Sequence, residues 1–381
     1  MKKISLIIAA LLIITGTSFA ITSDSIIMEF TGEEIMLSLE DAKAAMLSTG
    51  IAIETAELNL KMNKAKTKSY YENVTNINNL RKLASETWGV SMPSRTMVKI
   101  VNAAASFASE QSPRNYDAEI NKIIRSTVEN YYLMAQVKEG LRIGRENVEI
   151  QEKLYQNTLS KFNLGVASKQ DVLRAEIGLN EARVAADKAQ MNYSNVRMGF
   201  NITFGFDLMQ DVTITDELEE AEISNTLLPV AIAMALQNRN EIYETAFGLT
   251  YAELSLEEVA IRNTRLSAAY LEAAAQLAIA ESAVVNVPKQ IEMEVRSKYM
   301  DMIQKKKEVE LGKLNLENAK ETYRLANLQY DAGMVTLTDT QLAQLGAYNA
   351  EINYFSALLA LNLAVIDYDQ SYTVGTYSAR F

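Results

Sequence analysis

The sequence predicts a mainly α-helical protein built from two tandem repeats of a long coiled-coil helical hairpin. One observation is a repeated phrase: residues 162–171 read FNLGVASKQD, and residues 330–339 read YDAGMVTLTD. Each phrase has an aromatic residue, a glycine three places on, then serine or threonine, then aspartate. The second observation is a seven-residue apolar period around these phrases, which is typical of helices wound as coiled coils.

Composition favours long helices around a core. The chain has 381 residues, of which 48% are hydrophobic, and it holds only 15 Gly and 4 Pro. This length is enough for one large or two ordinary domains. Because Gly and Pro are the strongest helix breakers, their scarcity predicts extended helices.

An ungapped alignment supports a duplication. When residues 123–175 are placed on residues 291–343, 12 of 53 positions are identical, including the Gly and the Asp of the two phrases. A fixed internal period of this kind indicates a repeated structural unit.

The repeated phrases predict the bends of two helical hairpins. The glycine supplies the left-handed backbone conformation that ends one helix, and the hydroxyl residue three positions later caps the next helix. The aspartate completes a capping box and is favourable near a helix N-terminus. The predicted bend residues are Gly165, Ser168 and Asp171 in the first repeat and Gly333, Thr336 and Asp339 in the second.

Most of the residues that recur every seven positions before each bend are apolar. The series ends at Tyr155 and Phe162 in the first repeat and at Tyr323 and Tyr330 in the second. We interpret these aromatic residues as helix-packing positions rather than as a ligand-stacking stripe. A helix from about residue 116 to the first bend would be about 73 Å long at 1.5 Å per residue, so it needs neighbours to bury its faces.

The front halves of the repeats match at a different offset. A Glu-Thr-Ala sequence occurs twice, 190 positions apart, whereas the aligned segments around the bends are 168 positions apart. The first repeat therefore holds 22 additional residues between these two landmarks. We place them in residues 85–115, which contain the clearest non-helical signals, and RTMVKIV within that segment fits a short strand. Residues 255–290 are alanine-rich and predict a helix that continues to about Pro288.

A linker separates the two repeats. Residues 204–229 break the helical pattern, and DVTIT within them fits a short strand. The predicted organisation is a signal peptide at 1–20, a first repeat at 21–203, the linker at 204–229, a second repeat at 230–370 and a C-terminal tail at 371–381.

The segment at 1–20 has the pattern of an export signal. Lys2 and Lys3 precede an apolar run and a Ser-Phe-Ala ending, which predicts cleavage during export. A membrane anchor that is retained is the alternative interpretation. No other run of about twenty apolar residues follows, so no further transmembrane helix is expected.

Charge and residue types exclude several functions. The formal net charge is −11 and becomes −13 once Lys2 and Lys3 leave with the signal, so nucleic-acid binding is not expected. The absence of Cys and His removes disulfides, thiolate chemistry, the commonest general base and the commonest metal ligand. We predict no cofactor and no metal site.

An enzyme is the least supported class of function. The carboxylate pairs Glu219/Glu220 and Glu257/Glu258 are interpreted as solvated helix faces rather than acid–base pairs. No nucleophile is found with a base beside it. The sequence therefore predicts a protein that is not an enzyme.

The chain resembles the TolC-like outer membrane efflux proteins over nearly all of its mature length. The resemblance rests on the order and spacing of several segments. These segments are LSLEDAKAAMLSTG at 37–50, FNLGVASKQDVLRAE at the first bend, FGFDLMQDVTI between the repeats, LLPVAIAMALQNRNEI at 227–242, VRSKY at 295–299 and YDAGMVTLTDTQLAQ at the second bend.

The resemblance implies a homotrimer in which six hairpin units close a tube of twelve helical strands. Such a tube is the exit duct of an efflux or type I secretion system, located in the outer membrane and periplasm. Its implied partners are a periplasmic adaptor and an inner-membrane pump. The duct opens and closes at the end where the two bends lie.

Three site residues follow from the resemblance. Asp171 matches the tip aspartate of the first repeat, and Tyr330 matches the tyrosine that hydrogen-bonds to it in a closed state. Asp339 matches an aspartate that rings the pore. Two positions depart from the pattern: Val335 stands where the best-known members have arginine, and Leu342 where they have a second pore aspartate.

The membrane end departs from the resemblance. Family members usually contribute two barrel strands per repeat, each of about ten alternating residues, which should fall near 85–115 and 255–290. Neither segment shows that alternation, so we expect a degenerate barrel or none. The alternative hypothesis is an exported coiled-coil scaffold or adaptor-like protein that kept the helical tube and lost the barrel, because paired heptads fit it equally well.

Overall fold

A computed structural model describes residues 30–48, 50–87 and 92–380 of the chain. The predicted signal peptide at 1–20 lies outside the described residues, and so do Trp88, Gly89 and Phe381. The described elements are β1 (Thr31–Leu37), α1 (Leu39–Ser48), α2 (Ile51–Glu86), α3 (Arg95–Asn163), α4 (Lys169–Phe204), β2 (Gln210–Ile214), α5 (Leu228–Asn238), α6 (Asn240–Arg262), α7 (Ala268–Asp331) and α8 (Leu337–Ser371).

Two long helical hairpins dominate the fold, which confirms the predicted mainly α-helical class and its paired hairpins. The first joins α3 to α4 and the second joins α7 to α8. Helix α3 has 69 residues and α7 has 64, so each is about 100 Å long at 1.5 Å per residue.

Both long helices extend further than the sequence indicated. The segment RTMVKIV was expected to be a strand, but it is the first turns of α3, which begins where the Ser94 side chain accepts a hydrogen bond from the Met97 amide. Pro113 lies inside α3 and Pro288 inside α7, so neither proline ends a helix. The alanine-rich segment 255–290 is instead interrupted at 263–267, between α6 and α7.

The additional residues of the first repeat lie mainly in α2, not in the loop region where we placed them. From Glu54 of the shared Glu-Thr-Ala, α2 continues without interruption to Glu86. From the equivalent Glu244, α6 continues only to Arg262, which is little more than half that distance. Most of the insertion is therefore a longer helix.

A two-stranded parallel sheet sits beside the middle of α3. Strand β2 confirms the strand expected in the linker, and it pairs with β1, which the sequence did not indicate. The Tyr131 hydroxyl donates to the Leu37 carbonyl at 3.0 Å and anchors β1 to α3. Burial raises the pKa of Tyr131 to about 12, so the hydroxyl remains a donor at every physiological pH.

One core joins the two repeats near the sheet. Met134 and Met302, which occupy equivalent heptad positions, are fully buried, as are Tyr131 and Tyr368. Unbranched Met side chains fill irregular gaps between helices. Because residues from α3, α4, α7 and α8 contribute to this core, the two hairpins are held side by side.

Asparagine side chains hold the C-terminal tail onto the helices. The Asn121 amide donates to the Gly375 carbonyl at 2.9 Å, the Asn240 amide to Tyr377 at 2.8 Å, and the Asn115 amide to Ala379 at 2.7 Å. A backbone held by side chains in this way needs no sheet partner.

At the end opposite the bends, four helices form a single layer that we call the crown: α2, the start of α3, α6 and the start of α7. Arg81 of α2 donates to the Ser94 carbonyl before α3, and the Phe107 and Phe247 rings of α3 and α6 stack 4.1 Å apart. Since α6 then packs against α7, the order is α2–α3–α6–α7, with α2 and α7 at the edges.

Helices α7 and α8 each contain an 18-residue window that could cross a membrane by length and composition. In α8, 28% of that window is buried, whereas in α7 none of it is. The single chain therefore leaves an apolar surface uncovered on α7.

Candidate functional site at the paired helical bends

The first bend is a helix stop followed at once by a helix start. At the end of α3, the Gly165 amide donates to the Phe162 carbonyl at 2.9 Å and the Val166 amide to the Lys161 carbonyl at 2.9 Å. This pair of bonds is the Schellman motif, which needs a left-handed residue. Gly165 supplies it with φ of 76°.

Helix α4 then begins with the predicted capping box. The Asp171 amide donates to the Ser168 hydroxyl at 3.2 Å, and the Asp171 carboxylate accepts from the Ser168 amide at 2.9 Å and hydroxyl at 2.7 Å. The hydrogen bond from the Ser168 side chain is the main cause that lowers the pKa of Asp171. The carboxylate is therefore ionised at neutral pH and stabilises the helix start.

The second bend repeats this geometry. Gly333 has φ of 73°, and its amide donates to the Tyr330 carbonyl at 3.0 Å. The Asp339 carboxylate accepts from the Thr336 amide at 3.0 Å and hydroxyl at 2.6 Å, which lowers the pKa of Asp339. The glycine, hydroxyl and aspartate predicted in each phrase thus have the predicted local roles.

Tyr330 lies on the seam between the two hairpins. Its hydroxyl is 2.9 Å from the Thr158 hydroxyl of α3. The Lys161 ammonium lies 3.7 Å from the centre of its ring and donates to the Tyr330 carbonyl at 2.9 Å. Lys161 also approaches Asp331 at 3.6 Å, so α3 holds the end of α7 at four points.

The two repeats are not equivalent at this position. Tyr330 is 8% exposed, whereas Phe162, which matches it in the alignment, is 39% exposed. The buried tyrosine therefore faces the neighbouring hairpin of the same chain, and the phenylalanine faces outward. The repeat in the sequence predicted neither this asymmetry nor the contacts of Tyr330 with Thr158 and Lys161.

Amide side chains link the hairpins about two helical turns further from the bends. The Gln151 amide of α3 donates to the Gln344 side chain of α8 at 2.8 Å, and Gln344 donates in turn to Asn147. Nearer the bends, Arg174 of α4 donates to the Thr338 hydroxyl of α8 at 3.0 Å. These groups line a cleft of about 520 Å³, and they hold α3 and α8 in one register.

The three site residues taken from the resemblance are not hydrogen-bonded to one another in the described part of the chain. Asp171 and Asp339 serve their own capping boxes, and Tyr330 is paired with Thr158. Val335 packs against the small core at the bends, and Leu342 is 63% exposed. All five nevertheless lie at the same end of the molecule.

Apolar side chains project from the bends themselves. Leu164 and Val166 at the first bend and Met334 at the second are each more than three-quarters exposed. In the single chain both bends therefore present apolar side chains to solvent. Within the described ranges, no group of three or more acidic side chains is placed to hold a metal ion.

Comparison with known proteins identifies the fold. No protein-family model matches the chain, and no curated protein matches it. Solved structures do match: a membrane protein from Pseudomonas aeruginosa has a TM-score of 0.70 at 12% identity, covering 90% of this chain and 91% of its own. The Campylobacter jejuni CmeC outer membrane channel has a TM-score of 0.69 at 14% identity, covering 89% and 86%.

The chain has the TolC-like fold. The outer membrane protein VceC from Vibrio cholerae matches as well, with a TM-score of 0.64 at 11% identity, and 97% of its chain is covered. Since about nine-tenths of the chain aligns in each case, the likeness extends over both repeats rather than over one hairpin.

Proposed function

We propose that this protein is the exit duct of an efflux or secretion system in the cell envelope, assembled as a homotrimer in the outer membrane. The observation that carries the proposal is the match of both repeats, over nearly their full length, to structures described as outer membrane channels. In this proposal the chain is not an enzyme, and its substrate passes through the tube without chemical change.

Unpartnered heptad positions support the homotrimer. Ile177, Val184 and Met191 recur every seventh residue along α4, and each is about half-exposed in the single chain. On α7, Leu311 and Leu314 are likewise exposed. A helix that is apolar on two faces needs a neighbour on each, and further copies of the chain supply that neighbour in a closed ring.

The bends form the periplasmic mouth of the proposed tube. Three copies bring six bends together, and their three Asp339 carboxylates ring the pore, as the resemblance implies. The exposed residues Leu164, Val166 and Met334 then form the contact for a periplasmic adaptor, which joins the tube to an inner-membrane pump. The contacts of Tyr330 with Thr158 and Lys161 hold the mouth in its present arrangement.

Fractionation of the cell envelope tests this proposal. The mature chain should be found in the outer membrane fraction, and the purified protein should have the mass of three chains in detergent. A monomer recovered from the soluble fraction would contradict the proposed duct.

A scaffold is the second candidate, and one observation favours it. Where the resemblance would place barrel strands, the described residues within 92–115 and 255–290 are helical apart from short breaks. In this case the trimer would form through the same heptad stripes but would not insert into a bilayer. Conductance across a planar bilayer distinguishes the two candidates.

A further inference from the structure

The two edge helices of the crown each carry an uncovered stripe. On α2, the face toward α3 is the half-buried series that includes Asn63, Thr67 and Tyr70. The opposite face is exposed. One side of this exposed surface, which we call the outer stripe of α2, reads Leu83, Leu80, Asn76, Asn73, Ser69, Ala65, Met62 and Leu58 from the end that meets α3 toward the middle of the molecule.

The outer stripe of α7 is likewise apolar at its ends and more polar between them. The face of α7 toward α6 includes the half-buried residues Ala273, Leu277 and Ala280. The opposite face is exposed. From the start of α7 toward its middle, it reads Leu271, Ala275, Ala278, Ser282, Asn286, Lys289, Met293, Arg296 and Met300.

We infer that the outer stripe of α2 packs against the outer stripe of α7 from a second copy of this chain, so that the crown closes as a ring of helices. This inference rests on the proposed assembly of several copies. It adds to that assembly a specific seam at the end of the molecule where the resemblance would have placed strands.

The stripes complement each other along their length. Helix α2 runs toward the crown's end and α7 runs away from it, so they meet antiparallel. In that orientation Leu83 lies with Leu271 at one end and Met62 with Met293 at the other. Between these ends, Asn73 faces Ser282 and Ser69 faces Asn286, and Lys289 falls beside Ala65. Polar residues in such a seam fix its register.

The two edge helices carry opposite net charges, counted over all their faces. Residues 61–86 of α2 contain six basic and two acidic side chains, whereas residues 268–294 of α7 contain one basic and four acidic ones. Opposite charges favour this pairing over α2 with α2 or α7 with α7. An interface between two different surfaces of the same chain generates a closed ring when its rotation closes.

Lipid is the competing occupant, and the charges argue against it. The apolar window of α7 would tolerate lipid by length and composition. The outer stripe of α2 carries no charged residue, but eight charged side chains lie on other faces of the same helix within residues 61–86, and charged groups are costly in hydrocarbon. When the outer stripe of α2 packs against that of α7, neither stripe is left in contact with lipid or water.

Disulfide cross-linking of the full mature chain tests the seam. The chain has no native cysteine, so the variant Leu83→Cys can be combined in turn with Leu271→Cys, Ala278→Cys and Asn286→Cys to sample neighbouring registers. We expect mild oxidation to give a ladder that ends at three linked chains, with one register dominant and Leu271→Cys the favoured partner. The matched control combines Leu83→Cys with Ala273→Cys, on the α7 face toward α6, and should give no ladder.

The outcomes separate the seam from the assembly. A protein with the mass of three chains that gives no ladder in any register would overturn the seam alone. The seam would also be overturned if no ladder forms and bromolipids in a bilayer quench a fluorophore attached to the Leu271→Cys variant. Lipid would then cover α7. A monomeric mass would overturn both the seam and the proposed assembly.

Discussion

Ser168 and Thr336 show how much of each bend is decided by single residues. Each accepts a hydrogen bond from an amide that has no partner within its helix, so the local sequence specifies where the second helix begins. These signals lie close together in each repeated phrase, which is why the bends could be predicted from the sequence alone. The contacts of Tyr330 could not, because Thr158 and Lys161 belong to the other repeat, far away along the chain.

Removal of a cap should destabilise the protein measurably. We expect Ser168→Ala to lower the free energy of unfolding by about 1 kcal/mol, the usual value for a lost N-cap. Chemical denaturation checks this value. Ser160→Ala is the control, because that exposed hydroxyl bonds only to the Gln156 carbonyl within the same helix and Ala is the better helix former. An equal loss in both variants would contradict the capping role.

The charge of Asp171 should make this stabilisation depend on pH. Its pKa is lowered from 3.8 in the folded chain, so its contribution is complete at higher pH and is lost as the pH falls through the lowered pKa. We therefore expect the stability difference between the wild type and Asp171→Asn to be constant from pH 7 to about 5 and to shrink below about pH 4. A difference that grows on acidification would contradict this sign.

The backbone conformation of Gly165 allows a matched comparison between two glycines of the same hairpin. Gly165→Ala should destabilise the protein by about 1–2 kcal/mol, because a side chain disfavours the left-handed conformation. Gly140→Ala should stabilise it by about 1 kcal/mol, because Gly140 lies within α3 with open space around it. Thermal unfolding of the two variants measures both effects, and the same sign for both would contradict this account.

At the scale of elements, the repeat predicted the hairpins but not their ends. The segment RTMVKIV resembles a strand because Val, Ile and Thr favour strands, yet it forms the start of α3 because Ser94 caps it and α6 packs beside it. Strand β1 was not predicted, since its partner β2 follows only after both helices of the first hairpin. Long-range packing decided both cases.

The contact between Tyr330 and Thr158 couples the two hairpins at the bends. We expect Tyr330→Phe to loosen this end by about 0.5–1.5 kcal/mol, the usual net value of one hydrogen bond. Amide hydrogen exchange should therefore become faster in both bends. Tyr323→Phe, one heptad earlier on α7, is the control and should leave the exchange of the bends unchanged. Unchanged exchange in Tyr330→Phe would show that the hydroxyl does not hold the mouth.

At the scale of the whole molecule, the helical layers of one chain leave apolar edges uncovered. The exposed heptad stripes of α4 and α7 account for the proposed ring. Periodicity in the sequence predicted the repeat and its hairpins, and the resemblance implied the tube. The alanine-rich composition of residues 255–290 predicted helix there, but the packing of α2, α3, α6 and α7 into the crown was not predicted, because it depends on contacts between the two repeats.

A ring of Asp339 carboxylates should attract cations to the proposed pore. We expect Asp339→Asn to weaken block of the channel by multivalent cations, measured as the blocking concentration in planar bilayers. Asp207→Asn is the control, because it removes an exposed carboxylate in the linker beside the sheet, away from the bends. Equal block in the wild type and Asp339→Asn would exclude this role for Asp339.

Single-channel recording from the purified mature protein in planar bilayers tests the central claim most directly. We predict that the trimer inserts and gives discrete, cation-selective current steps, because a closed helical tube encloses an aqueous path. A stable trimer that neither inserts nor conducts would contradict the duct and favour the scaffold.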